Sequence, residues 1–184
     1  MRRIMHHDTL LFFSVCPSAG PTYEDNDSAQ HFQVLSDETV FPWVGLSDDQ
    51  LAACYRSRFR DGHTAIILND NGERVFTAWI ASGRLHVDEL NYDWRIPASE
   101  RVVYDCVTAA AHRGRGLYPA ALRWIVRYAQ REEISRVWIY ADARNHASLR
   151  GIDKAGFDAA GLMRTYWLAD IPVLRRGRIV GVNA

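Results

Sequence analysis

Apolar positions in the first half of the chain form short runs bounded by turn residues, which is typical of β-strands. The run TLLFFSV near the amino terminus predicts a first strand rather than a secretory signal, because it is very short. A polar, turn-rich loop follows over residues 17–30. HTAIILND and RVFTAWIAS predict a hairpin, since the DNG between them tolerates the positive φ of tight turns. RLHVDEL, residues 84–90, predicts a third strand.

Three other segments carry apolar residues at helical spacing. LSDDQLAACYRSRFRDG predicts a first helix, capped by Ser47 and closed by Gly62. The second helix is predicted over residues 118–132, and RNHASLRGIDKAGF predicts a shorter third helix that Gly156 ends. The strands RVVYDCVT and RVWIYADA precede the second and third helices.

The final segment, FDAAGLMRTYWLADIPVLRR, predicts one or two more strands. Antiparallel hairpins followed by strand, helix, strand, helix and strand predict an α/β domain, with one mixed, mostly antiparallel sheet flanked by helices. The 184 residues contain no internal repeat and no linker, so we expect a single domain over 1–184.

Charge and cysteine content narrow the function. Lys+Arg and Asp+Glu both number 22, so there is no global basic field for nucleic acid and any anion site must be local. No segment approaches the roughly 20 apolar residues of a membrane span. The cysteines Cys16, Cys54 and Cys106 form no CxxC pair, which argues against a zinc site or disulfide framework and predicts a cytoplasmic protein.

The stretch AHRGRGLYPAALRWIVRYAQ, residues 111–130, joins a strand to a helix through a glycine-rich turn. Such a turn presents free backbone N–H groups at the positive end of a helix dipole, which suits a diphosphate. Gly114 and Gly116 let the backbone approach the anion, and Arg113 and Arg115 can add charge-assisted bonds of about 1.5–3 kcal/mol each. From the turn alone, a tight turn with solvated arginines remains the alternative.

Two known phosphate motifs do not match this turn. A dinucleotide fingerprint needs a third small residue where Pro119 stands, and a nucleoside triphosphate loop needs Gly-Lys-Ser/Thr. Together with NHASLRGIDKAGF downstream, however, VTAAAHRGRGLYPAAL resembles the GNAT superfamily of acyl-CoA N-acyltransferases. The first stretch looks like the family's pyrophosphate motif, Arg/Gln-x-x-Gly-x-Gly/Ala, and the second like its motif after the next strand. The resemblance runs over residues 101–164.

This resemblance implies three sets of contacts to acetyl-CoA and no metal. The turn would hold the diphosphate, largely through its amides, and the end of the preceding strand would bond the pantetheine arm where two strands splay apart. The third helix would meet the cofactor further along. In that order, the implied residues are Arg113, Gly114, Arg115, Gly116, Leu117 and Tyr118; Cys106, Val107 and Thr108; and Asn145 and Ser148.

Two positions depart from the family pattern. Tyr118 stands where Gly or Ala is usual in the turn, and Ile152 stands where many members carry a tyrosine thought to protonate the leaving thiolate. That role stays open among Tyr104, Tyr118, Tyr166 and water.

The chemistry implied by the resemblance also requires a base. An alkylamine of pKa near 10.4 is only about one part in a few thousand neutral at pH 7. A carboxylate near the thioester could take its proton, and the candidates are Asp105, within its strand, and Glu89, near the end of the preceding one. Each has a solvated or structural acid as its alternative.

Other conspicuous side chains receive structural interpretations. Cys106 is interpreted as a small strand residue, because no histidine partner can be named for a nucleophile. His6 and His7 are expected in a disordered terminus. Among the tryptophans, Trp79 and Trp94 are expected to line the acceptor pocket.

The function predicted is a cytoplasmic N-acetyltransferase that moves an acetyl group from acetyl-CoA to a primary amine of a small molecule, by direct attack in a ternary complex. An amino sugar is the acceptor class that the resemblance suggests. The alternatives are O-acyl transfer and a non-catalytic acyl-CoA sensor or docking module. We expect a monomer or homodimer with no nucleic-acid or membrane partner.

Overall fold

Ten strands and three helices form the described part of this computed structural model, residues 5–20, 31–40 and 49–181. The predicted Ser47 cap and most of the predicted loop lie outside those residues. The strands are β1 (Met5–Val15), β2 (Phe32–Leu35), β3 (Thr64–Asp70), β4 (Glu73–Ala81), β5 (Arg84–Val87), β6 (Tyr92–Arg95), β7 (Glu100–Thr108), β8 (Arg136–Asp142), β9 (Asp158–Leu168) and β10 (Ile171–Ile179). The helices are α1 (Asp49–Arg60), α2 (Leu117–Arg131) and α3 (His146–Lys154).

Eight of these strands build one sheet in the order β10-β9-β1-β8-β7-β4-β3-β2. Every neighbouring pair is antiparallel except β7 and β8, which are parallel. β5 and β6 form a separate two-stranded sheet. The predicted fold class, a mixed and mostly antiparallel sheet flanked by helices, is confirmed.

The two faces of the main sheet bury different side chains. Successive residues of a strand alternate between faces, so Ile66 and Ile80 pack with α2 and α3, while Ile67 and Trp79 pack with α1 and the β5–β6 hairpin. The prediction that Trp79 and Trp94 line an acceptor pocket is wrong. They are 0% and 1% exposed and are among the largest side chains of the second core, because that face needs large rings to fill the space under a short helix and a small hairpin.

The local turn chemistry agrees with the sequence in most places. The β3–β4 hairpin turns through Asn71 and Gly72 with φ of 50° and 81°, as the DNG predicted. The third predicted strand ends early, at Val87, because residues 88–90 make a 3-10 turn that reverses the chain into β6.

The histidines near the amino terminus belong to the sheet. His6 and His7 lie in β1, not in a disordered terminus, and their rings lie 5.9 and 5.8 Å from those of Trp167 and Tyr166 on β9. Among the described helices, none combines the length and apolar character required to cross a membrane.

Candidate active site

The sheet forks between β7 and β8. Their parallel pairing runs only from Glu100–Arg136 to Val103–Ile139, whereas β7 stays paired with β4 as far as Thr108. None of the described strands therefore pairs with the last five residues of β7 on the β8 side.

A bulge lies in β7 at this fork. Tyr104 pairs with Trp79 and Val107 with Thr77, so Asp105 and Cys106 together oppose a single residue of β4. Asp105 adopts a left-handed backbone conformation with φ of 47°. Bulges of this kind redirect side chains and are common next to active sites.

The glycine-rich turn lies just beyond the end of β7. Gly114 and Gly116 both have φ of 76°, a conformation that glycine adopts without strain, and Gly116 is the N-cap of α2. Within the described residues, the amides of residues 114–118 donate to no other backbone group. The amide of Arg113 differs from the prediction, because it donates to the carbonyl of Ala110 at 3.3 Å, and its guanidinium Nε donates to Thr108 O at 3.1 Å.

A groove of about 600 Å³ opens between this turn and α3. Ten of the eleven residues predicted to bind the cofactor line it, and the exception is the exposed Arg115. Among the described residues, its charged lining consists of Arg113, Arg150 and Lys154, with no carboxylate side chain. The groove thus combines positive charge with unused amides at a helix N-terminus, which is a suitable environment for a diphosphate.

Tyr118 fits into the turn because position 151 is glycine. A Cβ atom on Gly151 would lie 2.6 Å from Cε1 of the Tyr118 ring and closer still to Cδ1. The Tyr118 hydroxyl lies 3.0 Å from Ser148 Oγ, and Ile152 beside it is completely buried in the core. Asn145 Oδ1 caps α3 by accepting from the Ser148 amide at 3.1 Å.

A second cavity of about 680 Å³ lies on the α1 side of the sheet. Both candidate bases, Asp105 and Glu89, line it. In the part of the chain that the structure describes, five carboxylates and the guanidinium of Arg58 line it; the acids are Asp61, Asp88, Glu89, Asp105 and Asp142. The cavity and the groove meet at the fork, where four of the described residues line both: Cys106, Tyr118, Asn145 and Ser148.

Arg58 is a site residue that the sequence did not reveal. Its Nη1 lies 2.5 Å from Asp105 Oδ2, although the two residues are 47 positions apart. Its Cζ lies within 5.2 Å of the ring centroids of Tyr55, Trp79 and Tyr104, so three aromatic faces hold the cation in place.

His63 is the second residue that was missed. Its ring is 5% exposed and is bonded on both sides, with Nδ1 2.7 Å from Tyr104 Oη and Nε2 3.0 Å from the carbonyl of Arg84. Both rings line the large cavity. Nothing in the local sequence marks His63 as a site residue, because it directly follows Gly62, which ends the helix, and is predicted as the first residue of a strand.

Cys106 has the environment of a structural thiol. Burial raises the pKa of the thiol well above its usual range, and its Sγ donates to the carbonyl of Tyr104 at 3.9 Å. A thiol held in its neutral form is a poor nucleophile, which agrees with the interpretation of Cys106 as a strand residue.

A mixed sheet forked beside a glycine-rich turn, with a helix starting at that turn, is the fold of GNAT acyltransferase domains. Residues 21–158 match the family model described as the Acetyltransferase (GNAT) domain, which covers most of the chain. The chain belongs to this family.

Solved structures show the same fold at low sequence identity. A GNAT-family acetyltransferase from Colwellia psychrerythraea is 13% identical with a TM-score of 0.60, covering 90% of this chain and 56% of its own. A GCN5-related N-acetyltransferase from Sphaerobacter thermophilus is 14% identical with a TM-score of 0.54, covering 100% of this chain and 55% of its own.

A fungal glucosamine N-acetyltransferase region within a multi-domain β-N-acetylglucosaminidase is 9% identical with a TM-score of 0.60. It covers 87% of this chain and 21% of its own. This chain spans little more than half the length of the Colwellia and Sphaerobacter proteins. Sequence identities this low show similarity of the fold alone. Among curated proteins, none is significantly similar to this chain in sequence.

Proposed function

We propose that this protein is an acyl-CoA-dependent N-acetyltransferase that acetylates a primary amine of a small molecule by direct attack in a ternary complex. The observation that carries the proposal is the meeting of a cationic groove and an acidic cavity at the fork between β7 and β8. An anionic donor and a cationic acceptor can enter from opposite faces of the sheet and meet there.

The groove supplies the donor site in this proposal. The amides of residues 114–118 and the cations of Arg113 and Lys154 would hold the diphosphate of acetyl-CoA. The unpaired edge of β7 from Cys106 to Thr108 would bond the pantetheine arm, which leads the thioester towards the fork. Acetyl-CoA supplies the activated acyl group.

The acidic cavity supplies the acceptor site. Its carboxylates attract an alkylammonium, and one of them must remove a proton before the nitrogen can attack. Glu89 is exposed on the cavity wall, and its carboxylate forms no hydrogen bond or ion pair within the described residues. Asp105 must give up its ion pair with Arg58 to accept a proton, so we assign the ammonium proton to Glu89 first and to Asp105 second.

The leaving thiolate also needs a hydrogen-bond donor, and Tyr118 is the tyrosine best placed for this role. It lines both cavities, whereas Tyr104 is bonded to His63 and Tyr166 lies on β9 beside His7. Burial raises the pKa of Tyr118 far above its usual value, so the hydroxyl keeps its proton and can donate. The buried Ile152 carries no such group.

The second candidate function is a non-catalytic acyl-CoA-binding module, and the observation that favours it is the apolar side chain at position 152. We further propose that the protein acts in the cytoplasm, as a monomer or homodimer. The cytoplasmic assignment is supported by three unpaired cysteines, Cys16, Cys54 and Cys106.

Thiol release from acetyl-CoA separates the candidate functions. We expect turnover with at least one member of a panel of glucosamine, a diamine, an aminoacyl amide and an alcohol without an amine. Release with an amine supports the proposal, and release with the alcohol alone indicates O-acyl transfer. Binding of coenzyme A without release above background in any reaction supports the sensor.

A further inference from the structure

The buried pair of His63 and Tyr104 has a defined direction of hydrogen bonding. A backbone carbonyl can only accept, so the 3.0 Å contact between His63 Nε2 and Arg84 O fixes the ring hydrogen on Nε2. In the neutral ring, Nδ1 is then an acceptor. The 2.7 Å contact therefore has Tyr104 Oη donating its hydrogen to Nδ1.

The surroundings favour the neutral form of His63, the form in which Nδ1 can accept a proton. Burial lowers the pKa of His63, and the charge of Arg58 lowers it further, while the Arg84 carbonyl and Asp61 act in the opposite direction. These groups come from β5, α1 and the turn after α1. When Nδ1 takes a proton, both ring N–H groups have partners, because Nε2 still donates to the carbonyl.

The pair lies beside the fork, at which the proposed donor and acceptor sites meet. Tyr104 is the first residue of β7 beyond the last parallel pair with β8, and Asp105 and Cys106 of the bulge follow it directly. Tyr104 and His63 both line the acidic cavity. Burial raises the pKa of the Tyr104 phenol well above its usual range, and the Arg58 guanidinium, 5.0 Å from the centroid of the ring, acts in the opposite direction.

We propose that Tyr104 and His63 form a proton relay that receives the proton lost by the acceptor nitrogen as the new C–N bond forms. This inference rests on the proposed acetyl transfer. The amine lone pair forms the bond to the acetyl carbon, and the C–S bond breaks with its electron pair leaving on sulfur. The nitrogen proton passes to Tyr104 Oη while the phenol proton passes to His63 Nδ1. The thiolate takes a proton from Tyr118 or water, and the imidazolium later releases its proton to solvent.

The relay and the carboxylates have different tasks. A primary ammonium loses two protons on its way to an amide, and the first leaves before attack, into the acidic cavity. The second leaves only when the nitrogen has begun to bond to carbon, so its acceptor must lie beside the fork. Tyr104 is held there by its strand, whereas Glu89 lies in the 3-10 turn after β5.

The test uses Tyr104→Phe, His63→Gln and the double variant, with Tyr128→Phe on α2 as the matched loss of a tyrosine hydroxyl outside both cavities. With acetyl-CoA and the best amine of the panel, each single variant should lower kcat by about 100- to 10,000-fold, the range of general acid–base assistance. The double variant should be no slower than the slower single, because the two groups move one proton. Affinity for coenzyme A should stay within about twofold of wild type, showing that the fold is retained.

A pH profile distinguishes the relay from a purely structural contact. The kcat of the wild type should fall as pH drops through the lowered pKa of His63, since a protonated ring cannot accept, and this step should be absent in His63→Gln. The relay is refuted if Tyr104→Phe keeps more than a third of the wild-type kcat, if the single effects multiply in the double variant, or if the pH step persists without His63. Absence of thiol release by the wild type with every amine refutes the proposed function itself, a result distinct from these three.

Discussion

The contact between Tyr118 and Gly151 gives a prediction in which one substitution has opposite effects in two backgrounds. In most helices, replacing glycine by alanine raises the free energy of unfolding by about 0.5–1 kcal/mol. Here the added Cβ would enter the Tyr118 ring, which is also fixed by the hydrogen bond between its hydroxyl and Ser148 Oγ. Overpacking of this kind costs about 1–3 kcal/mol, so Gly151→Ala should destabilise the protein by about 1–2 kcal/mol.

Removing the ring should reverse the sign. In a Tyr118→Ala background the new methyl group has room, and Gly151→Ala should stabilise the protein by about 0.5–1 kcal/mol. Urea unfolding of the four proteins gives a coupling energy, expected at about 1.5–3 kcal/mol. Tyr118→Phe is the control, because it keeps the ring and should keep the penalty. A coupling energy near zero, or a stabilising Gly151→Ala in the wild type, would refute the packing argument.

Three further predictions concern the groove, the bases and the buried histidine. Gly116→Val should weaken coenzyme A binding more than tenfold in a titration, whereas Gly72→Val, which strains a similar positive φ at a remote turn, should leave affinity unchanged; equal affinities would contradict the diphosphate site. Glu89→Gln should lower kcat/KM near pH 7, and its kcat/KM should return towards the wild-type value at high pH, where the amine is already neutral. Asp105→Asn should show a smaller loss of kcat/KM; a larger loss in Asp105→Asn than in Glu89→Gln would make Asp105 the base. Burial lowers the pKa of His63 in the folded protein below 6.5, its ordinary value. The stability that the neutral ring contributes is therefore present above pH 6.5 and is lost as the pH falls towards the pKa of the folded state. Thermal unfolding should therefore show the wild type losing stability relative to His63→Gln over that range, and parallel curves would show that the ring is not buried in its neutral form.

The sequence predicted most elements because their signals are local. Glycines at positions 62, 72 and 156 close helices or turns through their own backbone conformation, and all three have positive φ in the structure. The turn before α2 was found for the same reason, since a strand, two glycines and a helix stand together along the chain. Ten groove residues follow from the family resemblance of that stretch and of the segment around α3.

The position of β1 could not be predicted in this way. Its apolar run predicts a strand, but nothing in it indicates that it lies between β8 and β9, in the interior of the sheet and more than 120 residues from its partners. Strand order depends on pairings between distant segments, and a periodic pattern specifies only which face is buried. The same limit hid Arg58 and His63, whose partners Asp105 and Tyr104 come from a strand more than 40 positions later.

The bulge in β7 explains how one strand serves two chemically different sites. In a regular strand, residues 104 and 106 would face the same side of the sheet, because side chains alternate with a period of two. Here Tyr104 packs in the core on the α1 side, and Cys106 packs against the core beneath α2 and α3. The extra residue, Asp105, reverses the alternation and holds Arg58 against the Tyr104 ring. The edge of β7 that follows Asp105 therefore faces the groove, while the Tyr104 phenol, which precedes Asp105, remains with His63 in the acidic cavity.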